Sequence, residues 1–349
     1  MKCGIFVAEF TTMHHKSLSP KDRILRSQHF KNGAFQNLSL TPMKSEDVSY
    51  FKIIKDALRR AANVKPPVVL PSVKTDLKAV QSTKPVVTWF GHSSYLIQIN
   101  NFNILVDPVF SGSASPMSFA VKAFPGADVY APADFPAIDM LIITHNHYDH
   151  LDRKTIARLL PQTKAVYTGL GVGKDLQGCG LQSKLITELD WWETVEVSDE
   201  IILTATPARH FSGRGLKRGG SLWASFVLQL YGYTLFLGGD SGYDTHFKAI
   251  GDEYGPFDLA ILECGQYNLD WPFIHMQPEE TVQAALDLDA KVLLPVHWAK
   301  FTLASHPWNE PPTRVTAIAA ERGLAVTTPL IGEQVIVGES YPQHHWWNL

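Results

Sequence analysis

A chain of 349 residues with 45% hydrophobic and 19% charged side chains can bury a sizeable core, which excludes a disordered protein and leaves one large α/β domain or two small ones. The net charge of −3 offers no electrostatic footprint for bulk nucleic-acid binding, so no nucleic-acid partner is expected.

Residues 1–48 are polar, irregular and rich in Ser, Lys and His, and read as an arm lying over the domain or partly mobile. Met13-His14-His15-Lys16 interrupts what would be the apolar core of a secretory leader. Residues 49–62 read as a helix whose apolar stripe is Tyr50, Ile53, Ile54, Ala57 and Leu58, with Arg59-Arg60 at its end. That stripe packs on the core or touches a membrane surface. Pro66-Pro67 and Pro71 mark an extended linker, so residues 1–84 form an N-terminal arm and 85–349 the main domain. Within the latter, 86–90, 94–99 and 103–107 are strand candidates, the last two joined at Asn100-Asn101 as a hairpin. Further strands are expected at 139–143, 165–168, 201–206, 222–230, 234–237, 258–262, 291–295 and 334–337, and helices at 153–160, 278–288 and 312–322. Early strands followed by strands interleaved with helices predict two sheets packed face to face with helices outside, a four-layer αββα sandwich of the α/β class. The cysteines (Cys3, Cys179 and Cys264) are odd in number and far apart, which implies no disulfide framework. Cys264 reads as a packing residue at a strand end. No apolar run approaches the ~20 residues of a membrane span. The expected location is the cytoplasm, with peripheral membrane contact left open, and oligomeric state is not legible.

The densest chemistry lies in His145-Asn146-His147-Tyr148-Asp149-His150, between an apolar strand and a helix that Asp152 can cap. A turn lets consecutive side chains converge on one point, and imidazole nitrogen with carboxylate oxygen suits a borderline divalent ion, Zn first and Mn or Fe as alternatives. Three later strand ends lead to His210, Asp240 and His297. Open α/β sheets build their sites at the carboxyl ends of strands, so these groups are expected to join the His145–His150 turn. Gly238-Gly239 and Gly242 flank Asp240 and would let backbone approach a metal closely. Asp107 and His92 are candidates to accept or fix the second ring nitrogen of ligating histidines. Arg209, Arg214, Lys217 and Arg218 either draw in an anionic head group or form a solvated flexible loop. Trp271, Phe273 and Phe211 either line an acyl chain or pack in the core.

The ordered set His145, His147, Asp149, His150, His210, Asp240 and His297 resembles the dinuclear site of metallo-β-lactamase-fold hydrolases, over roughly residues 86–337. The resemblance implies one metal on His145, His147 and His210, a second on Asp149, His150 and His297, and Asp240 bridging both. Gly91-His92-Ser93-Ser94, Leu105-Val106-Asp107-Pro108, Gly239-Asp240-Ser241-Gly242-Tyr243, His275-Met276-Gln277-Pro278-Glu279-Glu280 and Pro295-Val296-His297-Trp298 resemble the branch of N-acylphosphatidylethanolamine-hydrolysing phospholipases D. The arm segment His29-Phe30-Lys31-Asn32-Gly33-Ala34-Phe35-Gln36-Asn37 is similar to that branch as well.

Two metals about 3.5–4 Å apart lower the pKa of a water between them and clamp both the attacking and the leaving oxygen of an in-line displacement. This implies phosphodiester cleavage, of an N-acylphosphatidylethanolamine-type phospholipid by the resemblance. Asp149 would orient the attacking oxygen, and His275 would stabilise a phosphoryl oxygen or protonate the leaving alkoxide. Two rivals stand beside this reading. One is a hydrolase of a soluble anion, a cyclic phosphate or a sugar-phosphate lactone; the other is a metal-binding scaffold without turnover.

Overall fold

The computed structural model describes residues 18–45, 48–49, 63–117, 119–215 and 217–349. The expected helix at 49–62 lies, but for Ser49, outside the described residues, as does the start of the arm.

Two seven-stranded mixed sheets form the centre of the molecule. The first places Gln334–Ile336 beside Val86–Trp89, then Tyr95–Ile99, Phe102–Val106, Met140–Ile143, Val166–Gly169 and Ile186–Leu189. Its pairing is antiparallel as far as Phe102–Val106 and parallel beyond. The second runs Ala325–Val326, Val292–Val296, Leu259–Glu263, Tyr233–Leu237, Ser225–Leu230, Ile201–Thr206 and Thr194–Ser198, parallel as far as Tyr233–Leu237 and antiparallel beyond. The hairpin at Asn100-Asn101 forms as expected, both residues at positive φ (49° and 60°), the conformation a two-residue turn between right-twisted strands demands.

Side-chain alternation builds the layers. Tyr95, Ile97, Ile99, Met140 and Ile142 join the core shared with Leu203, Phe226, Leu228 and Leu235 of the second sheet. Their neighbours Leu96, Leu141 and Ile143 point the other way, into a cluster with Ile156 and Leu159 of helix Arg153–Leu159 and Leu176 of helix Gly173–Gln177. Helices His246–Tyr254, Pro278–Asp287 and Glu310–Arg322 lie on the second sheet, where Phe247 meets Phe236 edge-on at 6.2 Å. The sandwich is the one the alternation predicts.

Some boundaries differ. The expected strand 222–230 begins at Ser225, because the N–H groups of Leu222 and Ala224 bond instead to the carbonyls of Leu170 and Thr144, just past two strand ends of the first sheet. Strands Ile186–Leu189 and Thr194–Ser198 and helices Pro20–Arg26 and His246–Tyr254 were not anticipated. The paired tryptophans near the C-terminus dock the tail: Trp346 stacks on Trp298 at 4.9 Å and Trp347 meets it edge-on at 5.6 Å.

Candidate metal centre

Each polar side chain of the site leaves the carboxyl end of a strand. Strand Met140–Ile143 delivers Thr144 and the histidine turn, Phe102–Val106 delivers Asp107, and Val86–Trp89 leads to His92. From the second sheet, Ile201–Thr206 leads to His210, Tyr233–Leu237 to Asp240, and Val292–Val296 to His297. Asp152 caps the following helix through the N–H of Lys154, as expected.

All seven expected ligands converge. His145, His147, His210 and Asp240 form one group and His92, Asp149, His150 and His297 another; within each, the ligand atoms lie within 4.8 Å of one another. Asp240 faces both groups. Its Oδ2 stands 3.7 Å from Nε2 of His145 and of His210; its Oδ1 stands 3.1 Å from Nε2 of His150 and from Nδ1 of His297. One carboxylate oxygen per triad is the disposition that bridging requires. Asp240 Oδ1, His150 Nε2 and His297 Nε2 are buried without a hydrogen-bond partner. Buried polar atoms are normally satisfied, so a set of inward-facing orphans on imidazole and carboxylate fits cations at this point.

The supports are as specific. Asp107 accepts the N–H of Thr144 at 2.9 Å and its hydroxyl at 2.7 Å, and lies 2.7 Å from Nδ1 of His150. The hydroxyl of Thr144 is 3.0 Å from Nδ1 of His145. Nδ1 of His210 meets the carbonyl of Ile274 at 2.8 Å, and Nδ1 of His297 meets the hydroxyl of Ser93 at 2.9 Å. Nε2 of His92 lies 2.9 Å from Asp149 Oδ2. Asp107, His92 and His297 all hold positive φ (41°, 52° and 68°). Left-handed backbone on such residues costs on the order of 1–3 kcal/mol each and persists where surroundings over-determine it. The backbones of His92 and His297 are cross-bonded through His297 N–H to His92 O and His92 N–H to Trp298 O.

Burial, reinforced by neighbouring imidazoles, holds His145, His210 and His297 well below the ordinary histidine range. Burial likewise takes His147 to about 3 and, against the pull of Asp149, His92 to about 4. Neutral imidazole is the ligating form. For His150 burial works in the same direction, but Asp240, Asp107 and Asp149 outweigh it and raise the group. Burial raises Asp240 to about 6 against the pull of His150, so a cation beside it would favour the ionised form.

The glycines around Asp240 serve protein contacts. A Cβ on Gly242 would meet the carbonyl oxygen of Phe273 at 2.0 Å, and one on Gly239 would meet Cβ of Thr144 at 3.0 Å. The close approach expected toward a metal is made toward these neighbours.

His275 enters the site, in a group with Asp240 and His297. Its partner is one the sequence reading passed over: Glu263, fully buried, whose Oε2 lies 2.8 Å from Nδ1 of His275. The signal was a carboxylate closing an otherwise apolar strand, Leu259–Glu263. Asn37 was passed over too. Its side chain donates to the carbonyl of His210 at 2.8 Å and accepts from its N–H at 3.1 Å, so the arm grips a candidate ligand by its backbone.

The basic residues divide. Arg209 donates to the carbonyls of Leu40 and Tyr243 and to the hydroxyl of Thr41, above the ring of Phe273. Arg214 donates to the carbonyls of Asn146 and Leu151, above the ring of Tyr148. Both guanidinium groups, expected to meet a head group, brace loops. Arg218 is exposed, 5.0 Å over the ring of Phe211. Lys217 is exposed as well. Beside His210 opens a cavity of about 470 Å³. Its walls include Phe35, Leu38, Leu40, Met43, Phe211 and Arg218. Trp271 and Phe273 are not among the described residues that line it; Trp271 donates to the carbonyl of Gln266.

Residues 102–298 match the family model of the beta-lactamase superfamily domain. The chain is 38% identical over 329 residues to an uncharacterized protein of Mycobacterium tuberculosis, covering 93% of this chain and 88% of that one. It is 32% identical over 268 residues to N-acyl-phosphatidylethanolamine-hydrolyzing phospholipase D 1 of Caenorhabditis elegans, covering 67% of this chain and 73% of that one. Among solved structures, Igni18, a metallo hydrolase from Ignicoccus hospitalis, superposes with a TM-score of 0.55 at 21% identity, covering 72% of this chain and 98% of that one.

Proposed function

The chain belongs to the beta-lactamase superfamily of metal-dependent hydrolases, related to the N-acylphosphatidylethanolamine-hydrolysing phospholipase D branch, and we propose that it cleaves a phosphodiester of an N-acylphosphatidylethanolamine-type phospholipid. The observation that carries the proposal is Asp240, with one oxygen toward His145 and His210 and the other toward His150 and His297. His145, His147 and His210 would hold one divalent cation and Asp149, His150 and His297 the other, Zn before Mn or Fe. Such a pair supplies Lewis-acid charge that activates water and offsets the charge developing on phosphoryl oxygens.

The chain's own groups would then divide the work. Asp149, fixed through its contact with His92, orients the attacking water and takes its proton. His275 gives a proton to the leaving alkoxide. The P–O bond to the ethanolamine oxygen breaks as the water oxygen bonds phosphorus, leaving phosphatidic acid and N-acylethanolamine.

The cavity beside His210 supports a lipid over a small anion: Phe35, Leu38, Leu40, Met43 and Phe211 give it an apolar wall suited to an acyl chain, and Arg218, which also lines it, suits a phosphate. Leu38 and Leu40 at that wall are 56% and 88% exposed, and Leu269, in a loop that bonds the arm at Ser45, is 78% exposed. Leucines so placed would dip into a membrane surface during turnover. No helix among the described residues is long and apolar enough to cross a membrane.

Product analysis by mass spectrometry after incubating metal-loaded protein with dispersed N-acylphosphatidylethanolamine tests the reading. Phosphatidic acid with N-acylethanolamine is the expected outcome. No turnover with metals bound would move the substrate to a soluble phosphate ester or lactone.

A further inference from the structure

Glu263 has no part in the roles assigned above, yet it occupies a fully buried position at the end of strand Leu259–Glu263. Its Oε1 accepts the N–H of Ser241 at 2.9 Å, the N–H of Met276 also reaches the carboxylate, and its Oε2 contacts Nδ1 of His275 at 2.8 Å. One side chain thereby ties the residue after Asp240, the residue after His275, and the ring of His275 itself. The same loop is pinned from the other side, where the carbonyl of Ile274 meets Nδ1 of His210 at 2.8 Å and the carbonyl of Phe273 abuts Gly242. A carboxylate at the floor of an apolar strand is costly unless it is bonded, and apolar residues would close the strand at no such cost. Its bonds all run to the segments that carry Asp240 and His275.

We propose that Glu263 is the positioning residue of His275: by accepting the hydrogen of Nδ1 it fixes the ring plane and leaves Nε2, the other ring nitrogen, as the one that faces the substrate. With two protons on the pair, one lies in the Glu263–Nδ1 contact and the other sits on Nε2. The second passes to the leaving oxygen as its bond to phosphorus breaks, and the pair keeps the first. The proposal rests on the reading of His275 as the proton donor, and its test separates the two.

Metal-loaded full chains carrying Glu263→Leu, Glu263→Gln or His275→Ala are assayed on two phosphodiesters. N-acylphosphatidylethanolamine expels an alkoxide that needs a proton; bis(p-nitrophenyl) phosphate expels a phenolate that does not. A general acid contributes about 10²–10⁴-fold. Glu263→Leu is therefore expected to lower kcat at least tenfold more on the lipid than on the nitrophenyl ester, in parallel with His275→Ala, with KM and bound metal held. Glu263→Gln, whose amide oxygen can still accept from Nδ1–H, is expected to recover part of the loss. Discrimination by His275→Ala but equal losses in Glu263→Leu would overturn the positioning role. Equal losses in His275→Ala would overturn the proton-donor reading. The ring is then read directly by long-range ¹H–¹⁵N NMR of histidine-labelled protein. A single Nδ1-protonated tautomer of the neutral His275 ring that becomes a mixture in Glu263→Leu supports the positioning; a tautomer unchanged by the substitution overturns it.

Discussion

Thr144 and His150 lean on one carboxylate, and Asp107 holds them from a backbone conformation that a non-glycine residue adopts at a cost. A residue strained in order to bond a candidate ligand is expected to tune that ligand, and loss of such a support typically weakens metal binding about 10–100-fold. Asp107→Ala should do so in a chelator competition; unchanged affinity would mean that the 2.7 Å contact with His150 orients nothing. Asp240→Ala goes further: with each triad losing its carboxylate oxygen, turnover should vanish and bound metal fall while the circular dichroism of the fold persists. Retained turnover would remove Asp240 from the site. These residues were legible because each histidine or aspartate follows an apolar strand, where a polar group has a reason to be. Glu263 and Asn37 were not, for opposite reasons. Glu263 looks like the end of a core strand, and Asn37 lies in a polar arm whose partner, the backbone of His210, is 173 positions away.

Among the elements, those with a clean period were legible. Tyr95–Ile99 and Met140–Ile143 send alternate side chains to the two faces of the first sheet, and the alternation is visible without coordinates. Thr194–Ser198 escaped because it is an outer strand with alternate residues exposed, mixing Thr, Glu and Ser with valine. His246–Tyr254 escaped because its buried face is only His246, Phe247 and Ile250. The described part of the arm bonds to the main domain. Arg23 donates to the carbonyl of Glu188 at 2.6 Å, and Phe35 bonds Gly219. Its grip on His210 through Asn37 makes the arm part of the site's foundation. Asn37→Ala removes both contacts, and an unmet buried partner costs about 1–3 kcal/mol. Denaturant unfolding should report a loss of that order together with weaker metal retention. A variant as stable as the parent would reduce the arm to a cover.

At the scale of the molecule, many buried imidazoles make stability depend on protons and metal together. In the metal-free protein burial holds His92 at about 4, His147 at about 3 and His246, outside the metal groups, at about 3. An imidazole in the unfolded chain titrates near 6.5. Below that pH the unfolded state binds protons that the folded state refuses, so these groups draw stability down as pH falls through 6 toward 4. Asp240, raised to about 6 by burial, works against them over the same interval, as does Glu263, which burial also raises. The lowered imidazoles, with His145, His210 and His297 among them, outnumber these carboxyls. The net direction is acid destabilisation, at about 1.4 kcal/mol per pH unit for each uncompensated group. Bound metal adds stability by mass action, about 4 kcal/mol at a thousandfold excess over Kd, and protons compete with it for the same nitrogens. Urea midpoints at pH 7, 6 and 5, with metal and with chelator, should show both series declining and the gap between them closing toward acid. A metal-free protein that gains stability from pH 7 to 5, or midpoints indifferent to chelator, would mean that the histidines crowded at these strand ends are not kept neutral for a cation.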